Sequence, residues 1–302
     1  MPEIKRFGFT SILGWSATRY NQFSICRRRY FYQYYAKYDP DLPVREIETL
    51  RELVTIPLEI GTLVHKVIEV MLNRLRSTAE PIDEAKFFDF AARQTDRHSA
   101  TQRFQEVAYG ELDAVEPETL HPKVHACLEN MLHSDRFRWL VEEAVHASGD
   151  WVIDPPGYGE TRLQDLKAYF KVDFLFPVQD TYYIIDWKTG QEDPEKHRKQ
   201  LLGYSAWTSY HFGVDPQHVE PAVAYLYPEY KEVQERFNEF DLENFYVQVR
   251  AETREMYEYC RDIEQNIPVD KEEFLMVDHE GICSHCKFRA LCYPKRYPLA
   301  AS

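Results

Sequence analysis

The chain of 302 residues is acidic, with 36 lysines and arginines against 50 aspartates and glutamates and a formal net charge of −14. Its 44% hydrophobic content is enough for one large core or two modest ones. No apolar run is long enough to span a membrane, and no apolar signal segment follows Met1. We therefore expect a cytoplasmic globular protein with no membrane partner, and not a membrane, secreted or disordered chain.

The first predicted element is an aromatic and basic helix over residues 16–38. It lies within residues 1–40, which carry seven lysines and arginines against two acids, and residues 281–302 carry four such cations and no acid. An acidic chain is a poor ligand for nucleic acid overall, but a local basic rim favours binding of a strand there. The predicted nucleic-acid contacts are Tyr20, Arg27, Arg28 and Arg29. The alternative for the arginines is a solvated helix face, and Tyr30 or Tyr32 would either stack on bases or belong to the core.

Residues 61–77 form the second predicted helix, which opens at Gly61 and carries His65 in its first turns. Taken alone, a histidine near a helix start is more often an ordinary polar residue than a metal ligand. From Ile82 to about Ala147 the pattern stays helical and lacks the alternation of strands. This stretch predicts a helical insertion that packs beside the site.

Residues 168–178 and 181–187 form a predicted hairpin with a tight turn between them. Its second strand ends in Asp186, one spacer and Lys188, and Asp173 lies on the first strand. Two carboxylates and a lysine on adjacent strands supply hard oxygen ligands for Mg²⁺ or Mn²⁺ and a cation that can orient an attacking water. Alone, this pattern is a weak signal, because acids and lysines also flank surface hairpins.

The next predicted helix covers residues 194–212, with Asp193 as its N-cap and proline at its first position. Gln200 and Tyr204 fall one turn apart on one face of this helix, where a surface hydrogen-bonding pair is the alternative reading. The remaining predicted elements are a strand at 222–227, a weaker strand at 232–240 and a long helix at 241–265. This order of helices and strands predicts an α/β sheet with helices on its faces.

These elements together resemble the RecB-like branch of the PD-(D/E)XK nucleases, whose ordered signature is G-x-x-x-H, then D, then D/E-x-K, then Q-x-x-x-Y. All four occur here in that order between Gly61 and Tyr204, with one departure at Lys171, where the family usually has glycine. The resemblance implies a restriction-endonuclease-like core sheet flanked by helices. It also implies roles for six side chains: His65, Asp173 and Asp186 as ligands of Mg²⁺ or Mn²⁺, Lys188 for the attacking water, and Gln200 with Tyr204 for positioning.

Four of the six cysteines form a second constellation. Cys283, Cys286 and Cys292 are spaced too densely for isolated buried cysteines, and Cys26 is the best candidate for a fourth ligand. This pattern resembles the iron–sulfur members of the same branch, such as AddB and the CRISPR-associated RecB-like nucleases. The resemblance implies a 4Fe-4S cluster that joins the chain ends, with structural Zn²⁺ as the alternative occupant. Cys127 and Cys260 lie singly in helical patterns and are predicted to be buried and inert.

The resemblance implies one nuclease domain over residues 1–302. We expect a cluster-linked segment at 1–60, the histidine helix and insertion at 61–150, a catalytic core at 151–270 and the cysteine segment at 271–302.

The implied function is metal-dependent hydrolysis of DNA, by a single-strand exonuclease in repair, recombination or defence. The chain lacks a phosphate-binding G-x-x-x-x-G-K-[ST] loop, so any helicase, defence or integration protein would be a separate partner. The alternative is a non-catalytic iron–sulfur subunit that binds DNA or acts as a scaffold. Cleavage polarity and the preference for DNA over RNA stay open at this point.

Overall fold

The structure, a computed structural model, describes residues 4–78, 80–155, 157 and 159–300. Its centre is a five-stranded mixed sheet in the order β1-β4-β5-β6-β7, in which β5 and β6 are parallel and the other neighbours are antiparallel. The strands of this sheet are β1 (Val152–Ile153), β4 (Phe174–Val178), β5 (Thr181–Lys188), β6 (Val219–Tyr225) and β7 (Lys231–Gln234). Two separate antiparallel pairs are β2 (Glu160–Leu163) with β3 (Leu166–Tyr169), and β8 (Cys260–Asp262) with β9 (Ile267–Pro268).

Helices cover both faces of the sheet. The insertion side carries α4 (Ile56–Ser77), α5 (Glu84–Ser99), α6 (Gln105–Ala108), α7 (His121–Leu132) and α8 (Asp135–Glu142). The other side carries α1 (Ala17–Ile25), α2 (Arg27–Tyr34), α3 (Val44–Arg51), α9 (Pro194–Phe212) and α10 (Glu239–Tyr257), and the short helices α11 (Glu280–Cys283) and α12 (Arg289–Cys292) follow near the C-terminus. The predicted α/β class is therefore confirmed.

Strand alternation divides the core into two clusters. Ile185 and Trp187 of β5 face the insertion helices, whereas Ile184 of the same strand packs with α9 and α10. Successive side chains of a strand point to opposite faces, so Asp186 and Lys188 are on the α9 side. This register decides which helix can complete the site.

Several predicted elements are confirmed. Helix α9 has the predicted bounds, Asp193 accepts a hydrogen bond from the Lys196 backbone nitrogen at 3.2 Å, and proline opens the helix. The hairpin turn is also as predicted, since Gln179 has a positive φ of 53° between β4 and β5.

The predicted single helix over residues 16–38 is wrong. The chain breaks it at Cys26, which is extended with φ −158° and whose sulfur accepts a hydrogen bond from the Arg29 backbone nitrogen at 3.5 Å. Cys26 thus ends α1 and is the N-cap of α2. Tyr30 and Tyr32 on α2 are each only 1% exposed, so they belong to the core and cannot stack on bases.

The other corrections concern boundaries. Helix α4 begins at Ile56 and not at Gly61, because Thr55 caps it and proline occupies its first turn, a start signal that the apolar spacing hides. His65 is consequently in its third turn. The predicted strand over 232–240 ends at Gln234, because Asn238 forms a capping box that starts α10.

The predicted helix over 241–265 ends at Tyr257, so Cys260 lies in β8 and is half-buried rather than buried in a helix. Cys127 is fully buried in α7, as predicted. Residues 151–158, whose pattern indicates a loop or a short strand entry, contain the two-residue strand β1, and Pro156 and Tyr158 lie outside the described residues. Among the residues that the structure describes, no helix combines the length and the apolar character needed to cross a membrane.

His211 near the end of α9 ties the N-terminal segment to β2. Its Nδ1 accepts a hydrogen bond from the Lys5 backbone nitrogen at 3.1 Å, and its Nε2 donates to the Glu160 carbonyl oxygen at 3.0 Å. The ring is only 3% exposed, and this burial lowers the pKa of His211 to about 4. The neutral tautomer is the one that both contacts require, because Nδ1 must keep its lone pair.

We expect His211 to make the fold sensitive to acid. The unfolded chain binds this proton near pH 6.5 and the folded chain only near pH 4, so stability falls as the pH is lowered through that window. Relative to neutral pH, the full loss of stability below pH 4 is about 3 kcal/mol. Urea unfolding of the wild type and of His211→Gln between pH 4 and 8 measures this loss. The free energy of unfolding of the variant should depend less steeply on pH than that of the wild type. Parallel curves for the two proteins would contradict this expectation.

Candidate active site

The two acids meet because β4 and β5 are antiparallel. Phe174 pairs with Ile185, which places Asp173 and Asp186 opposite each other at one end of the sheet. The Trp187 backbone nitrogen donates to Asp173 Oδ2 at 3.2 Å, which fixes that carboxylate against the neighbouring strand. We refer to this end of the sheet as the acidic end.

Asp186 is only 1% exposed, and its two oxygens have different surroundings. Oδ1 accepts hydrogen bonds from the Tyr204 hydroxyl at 2.6 Å and from Gln200 Nε2 at 2.9 Å. Oδ2 faces the Lys188 ammonium as an ion pair but makes no hydrogen bond of regular geometry within the described chain. Burial and then the charge of Asp173 raise the pKa of Asp186, against the opposing effect of Lys188. The ionised form of Asp186 is therefore disfavoured by its surroundings, and a bound divalent cation would stabilise it.

His65 reaches the same end from α4. Its Nε2 lies 2.8 Å from the Trp187 carbonyl oxygen and its Nδ1 lies 3.3 Å from Asp173 Oδ2. A carbonyl can only accept, so Nε2 carries a proton and Nδ1 is the atom turned to the carboxylates. Burial lowers the pKa of His65, but the charge of Asp173 outweighs it and the net pKa is raised. Burial likewise raises the pKa of Asp173, yet His65 holds the net value below its usual range.

Helix α9 completes the site. Gln200 Nε2 also donates to the Tyr204 hydroxyl at 2.5 Å, so the two side chains and Asp186 form one hydrogen-bonded triangle. The helix can approach the sheet this closely because residue 203 is glycine. A Cβ there would lie 2.1 Å from the Phe170 ring, which would push α9 away.

The structure gives a role to Lys171, which stands where the related nucleases usually have glycine. Its ammonium pairs with Asp154 at 2.6 Å, and the Asp154 backbone nitrogen donates to the Asp173 carbonyl at 2.8 Å. The lysine therefore points away from the carboxylates and supports the loop beside Asp173.

Two buried residues beside the site escape the sequence signature. His197 Nδ1 lies 2.5 Å from the Tyr225 hydroxyl, and Tyr225 is the β6 partner of Lys188 in the sheet register. Burial and then the charge of Lys188 lower the pKa of His197 to about 4, so the ring is neutral near pH 7. The available signal was its spacing, since His197 lies three residues before Gln200 on the same face of α9.

The four cysteines of the second constellation line one cavity, together with apolar groups of α2 and the C-terminal segment. All six cysteines of the chain are free thiols. Burial, followed by the neighbouring Cys286 and Cys26, raises the pKa of Cys292 to about 12. Burial also raises the pKa of Cys286.

The structure gives different surroundings to the four predicted nucleic-acid contacts. Arg28 donates to the carbonyl oxygens of Phe274 and Lys271 at 2.9 and 3.0 Å, and Arg27 lies on the Phe23 ring. Arg29 lines the cysteine cavity, and the Tyr20 hydroxyl donates to Glu255 at 3.0 Å. Tyr20, Arg27 and Arg28 thus contact other protein groups.

Among the described residues, neither the acidic end nor the cysteine cavity has its side chains arranged to coordinate a metal ion. Within residues 4–300, leaving aside the undescribed positions, no three histidine, cysteine, aspartate or glutamate side chains are grouped so that they could hold an ion. At the acidic end this follows from the protein contacts, because Asp186 is bound by Lys188 and Tyr204 and His65 faces Asp173.

Of the comparisons with known proteins, one identifies a family for this chain. No protein among those with curated descriptions matches the sequence. The solved structure named "Crystal structure of SSO0001" is similar at 13% sequence identity over 68% of this chain and 96% of the other, with a TM-score of 0.31, which is too low to carry a structural argument. Residues 14–293 match the PD-(D/E)XK nuclease superfamily, a span that includes the acidic end and all four cysteines of the cavity. The chain therefore belongs to the PD-(D/E)XK nuclease superfamily.

Proposed function

We propose that this protein is a RecB-like, metal-dependent deoxyribonuclease that acts on single-stranded ends. The observation that carries the proposal is the convergence of His65, Asp173, Asp186 and Lys188 at one end of the sheet, with Gln200 and Tyr204 bound to Asp186. A merely structural ion pair would not require a second, half-buried acid beside Asp186, because that acid raises the free energy of the charged form.

The donor chemistry fits Mg²⁺ or Mn²⁺. Asp186 Oδ2 is buried and faces the Lys188 ammonium without a hydrogen bond of regular geometry, and Asp173 provides a second carboxylate directly opposite. His65 has its Nε2 proton bound to a carbonyl, the arrangement that metal-ligating histidines use to keep the other nitrogen available. These three residues would hold the ion. For that, the contacts between His65 and Asp173 and between Asp186 and Lys188 would have to move apart.

A bound divalent ion would neutralise charge that develops on the phosphodiester and lower the pKa of a water. Lys188 would orient that water or donate to the phosphate oxygen, because its ammonium already lies at Asp186 Oδ2. Gln200 and Tyr204 would hold Asp186 Oδ1, so that the other oxygen keeps its direction. His197 and Tyr225 would support the strand that carries the lysine.

We also propose that Cys26, Cys283, Cys286 and Cys292 hold a 4Fe-4S cluster, with one zinc ion as the alternative. Four free thiols in one buried cavity fit a soft metal centre, since thiolates are the ligands of both occupants. The cluster would be structural, because it lies between α2 and the C-terminal segment. In this proposal residues 1–302 act as one nuclease domain, with a separate helicase, defence or integration protein as partner.

Digestion of end-labelled and circular DNA, each single- and double-stranded, tests the proposal with Mg²⁺, Mn²⁺ or EDTA, alongside a matched RNA. We expect cleavage of linear single strands that EDTA abolishes. Cleavage of circles would contradict the exonuclease assignment, and preferential cleavage of RNA would contradict the substrate. DNA binding without cleavage under every metal condition would favour the non-catalytic subunit.

His65→Ala should weaken metal affinity at least about tenfold while DNA affinity changes little, because the ring is a proposed ligand of the ion and not of the strand. Activity of the wild type should be higher with Mn²⁺ than with Mg²⁺, since imidazole suits the softer ion. Calorimetric titration with Mn²⁺ measures the metal affinity, and His133→Ala, at the exposed residue just after α7, is the control. Unchanged Mn²⁺ binding by His65→Ala would return His65 to a structural role.

A further inference from the structure

The loop after β6 lies at the acidic end but takes no part in the site described above. We propose that Tyr227 of this loop and Lys123 of α7 form a contact for one unpaired nucleotide of the substrate strand. The tyrosine ring would stack on the base, and the lysine would pair with an adjacent phosphate. This inference rests on the proposed function and specifies how the single strand is recognised.

The sheet register places Tyr227 beside the site. Lys188 of β5 pairs with Tyr225 of β6, and the Leu226 backbone nitrogen donates to the Lys188 carbonyl oxygen at 2.8 Å. Tyr227 therefore leaves the sheet one residue beyond this bond. With a strand spacing of about 4.8 Å and a rise of about 3.3 Å per residue, its Cα is within roughly 10 Å of the Lys188 Cα.

The ring of Tyr227 is open to solvent whereas its neighbours are not. Tyr227 is 43% exposed, compared with 4% for Tyr225 and none for Leu226. The Lys123 ammonium lies 4.9 Å from the centre of the Tyr227 ring, so a positive charge adjoins the exposed aromatic surface. A Cβ added at Gly190, just past the end of β5, would meet no atom within 4 Å, so the chain that follows Lys188 is uncrowded at this position.

The loop is also held in place. Asn130 of α7 donates from Nδ2 to the carbonyl oxygens of Leu226 and Pro228, each at 2.9 Å, and these carbonyls flank Tyr227 on both sides. A fixed aromatic loses little freedom when a ligand stacks on it, which favours binding. A surface tyrosine without function would not need its backbone fixed on both sides.

The chemistry selects an unpaired base. On a chain with a net charge of −14, an aromatic stacking surface gives a strand an attraction that does not depend on the charge of the whole protein. Stacking tolerates any sequence, because each base presents a π-face, and it excludes the interior of a duplex, where both faces are already stacked.

Oligonucleotides with 2-aminopurine at successive positions test the inference, because stacking on an aromatic ring quenches its fluorescence. With Lys188→Ala protein, which holds the strand without turnover, we expect quenching at one position only. Adding Tyr227→Ala should remove this quenching and weaken binding of single strands roughly 5- to 50-fold, with less effect on duplex, and Tyr227→Trp should retain both. Lys123→Ala should weaken binding and reduce the slope of log K against log salt by about one.

Phe240→Ala is the matched control. Phe240 is a 70% exposed aromatic residue in the first turn of α10, on an element separate from the loop after β6 and from α7. Equal quenching and equal affinity in the Tyr227→Ala protein would overturn the inference, while cleavage by the wild type would keep the proposed function. A wild-type chain that neither binds nor cleaves single strands would overturn both.

Discussion

Lys188→Ala should reduce cleavage of linear single-stranded DNA by about 10²–10³-fold or more while leaving most of the DNA affinity. The ammonium of Lys188 pairs with Asp186 Oδ2, and in our proposal it acts on the attacking water or on the phosphate. Asp186→Ala should be equally inactive. Its DNA affinity should be unchanged or higher, because a negative charge facing the phosphate is removed. Both losses are measured as single-turnover rates with Mn²⁺.

The control separates loss of chemistry from loss of fold. Lys86→Ala removes an exposed lysine on α5, where the side chain pairs with Asp83 in the same turn, and should keep full activity. Thermal unfolding of each variant should stay within a few degrees of the wild type, because Asp186 can take up a proton when Lys188 is absent. Undiminished cleavage by folded Lys188→Ala protein would remove Lys188 from the reaction.

Much of the acidic end could be predicted from the sequence because it depends on local order. The hairpin turn at Gln179 sets the register of β4 and β5, and this register alone brings Asp173 opposite Asp186. Strand alternation then turns Asp186 toward α9, where the spacing of Gln200 and Tyr204 puts both on one face. No long-range information was needed beyond the packing of α9 on the sheet.

The features that the sequence did not predict depend on contacts between distant segments. The pairing of His197 with Tyr225 follows from the register of β6 against β5, which a parallel crossover leaves undetermined in the sequence. The break at Cys26 is similar, because an aromatic and basic run gives no local stop signal there. The early start of α4 was predictable from Thr55 and the following proline, but the apolar spacing from Gly61 concealed it.

Loss of any one of Cys26, Cys283, Cys286 or Cys292 should abolish metal loading and destabilise the protein by about 3–5 kcal/mol. Most of the chain separates Cys26 from Cys283, so a cluster closes a very long loop and restricts the unfolded ensemble as a crosslink does. Each Cys→Ala variant should also give a lower soluble yield. Anaerobically purified wild type should be brown and contain about four iron atoms per chain.

The matched controls are Cys127→Ala and Cys260→Ala, which lie outside the cavity and should leave the metal content unchanged. Elemental analysis of all six variants distinguishes the two groups. One zinc ion per chain and no iron, after anaerobic expression with iron supplied, would overturn the iron–sulfur assignment and keep the crosslink. Absence of any metal would overturn both.

The protein contacts around the cavity determine where the destabilisation should appear. The C-terminal segment is also held by Arg28 on Phe274, by Tyr109 on the Lys287 carbonyl at 2.8 Å and by the Lys287 ammonium on Arg51. Each such bond contributes only about 1 kcal/mol, so together they compete poorly with the entropy of releasing some twenty residues. Without the cluster, hydrogen exchange should therefore rise first in α11, α12 and α2, while β4, β5 and α9 stay protected. Activity should then fall only as the segment detaches, which places the cysteines in a structural role and separates their effect from that of Lys188.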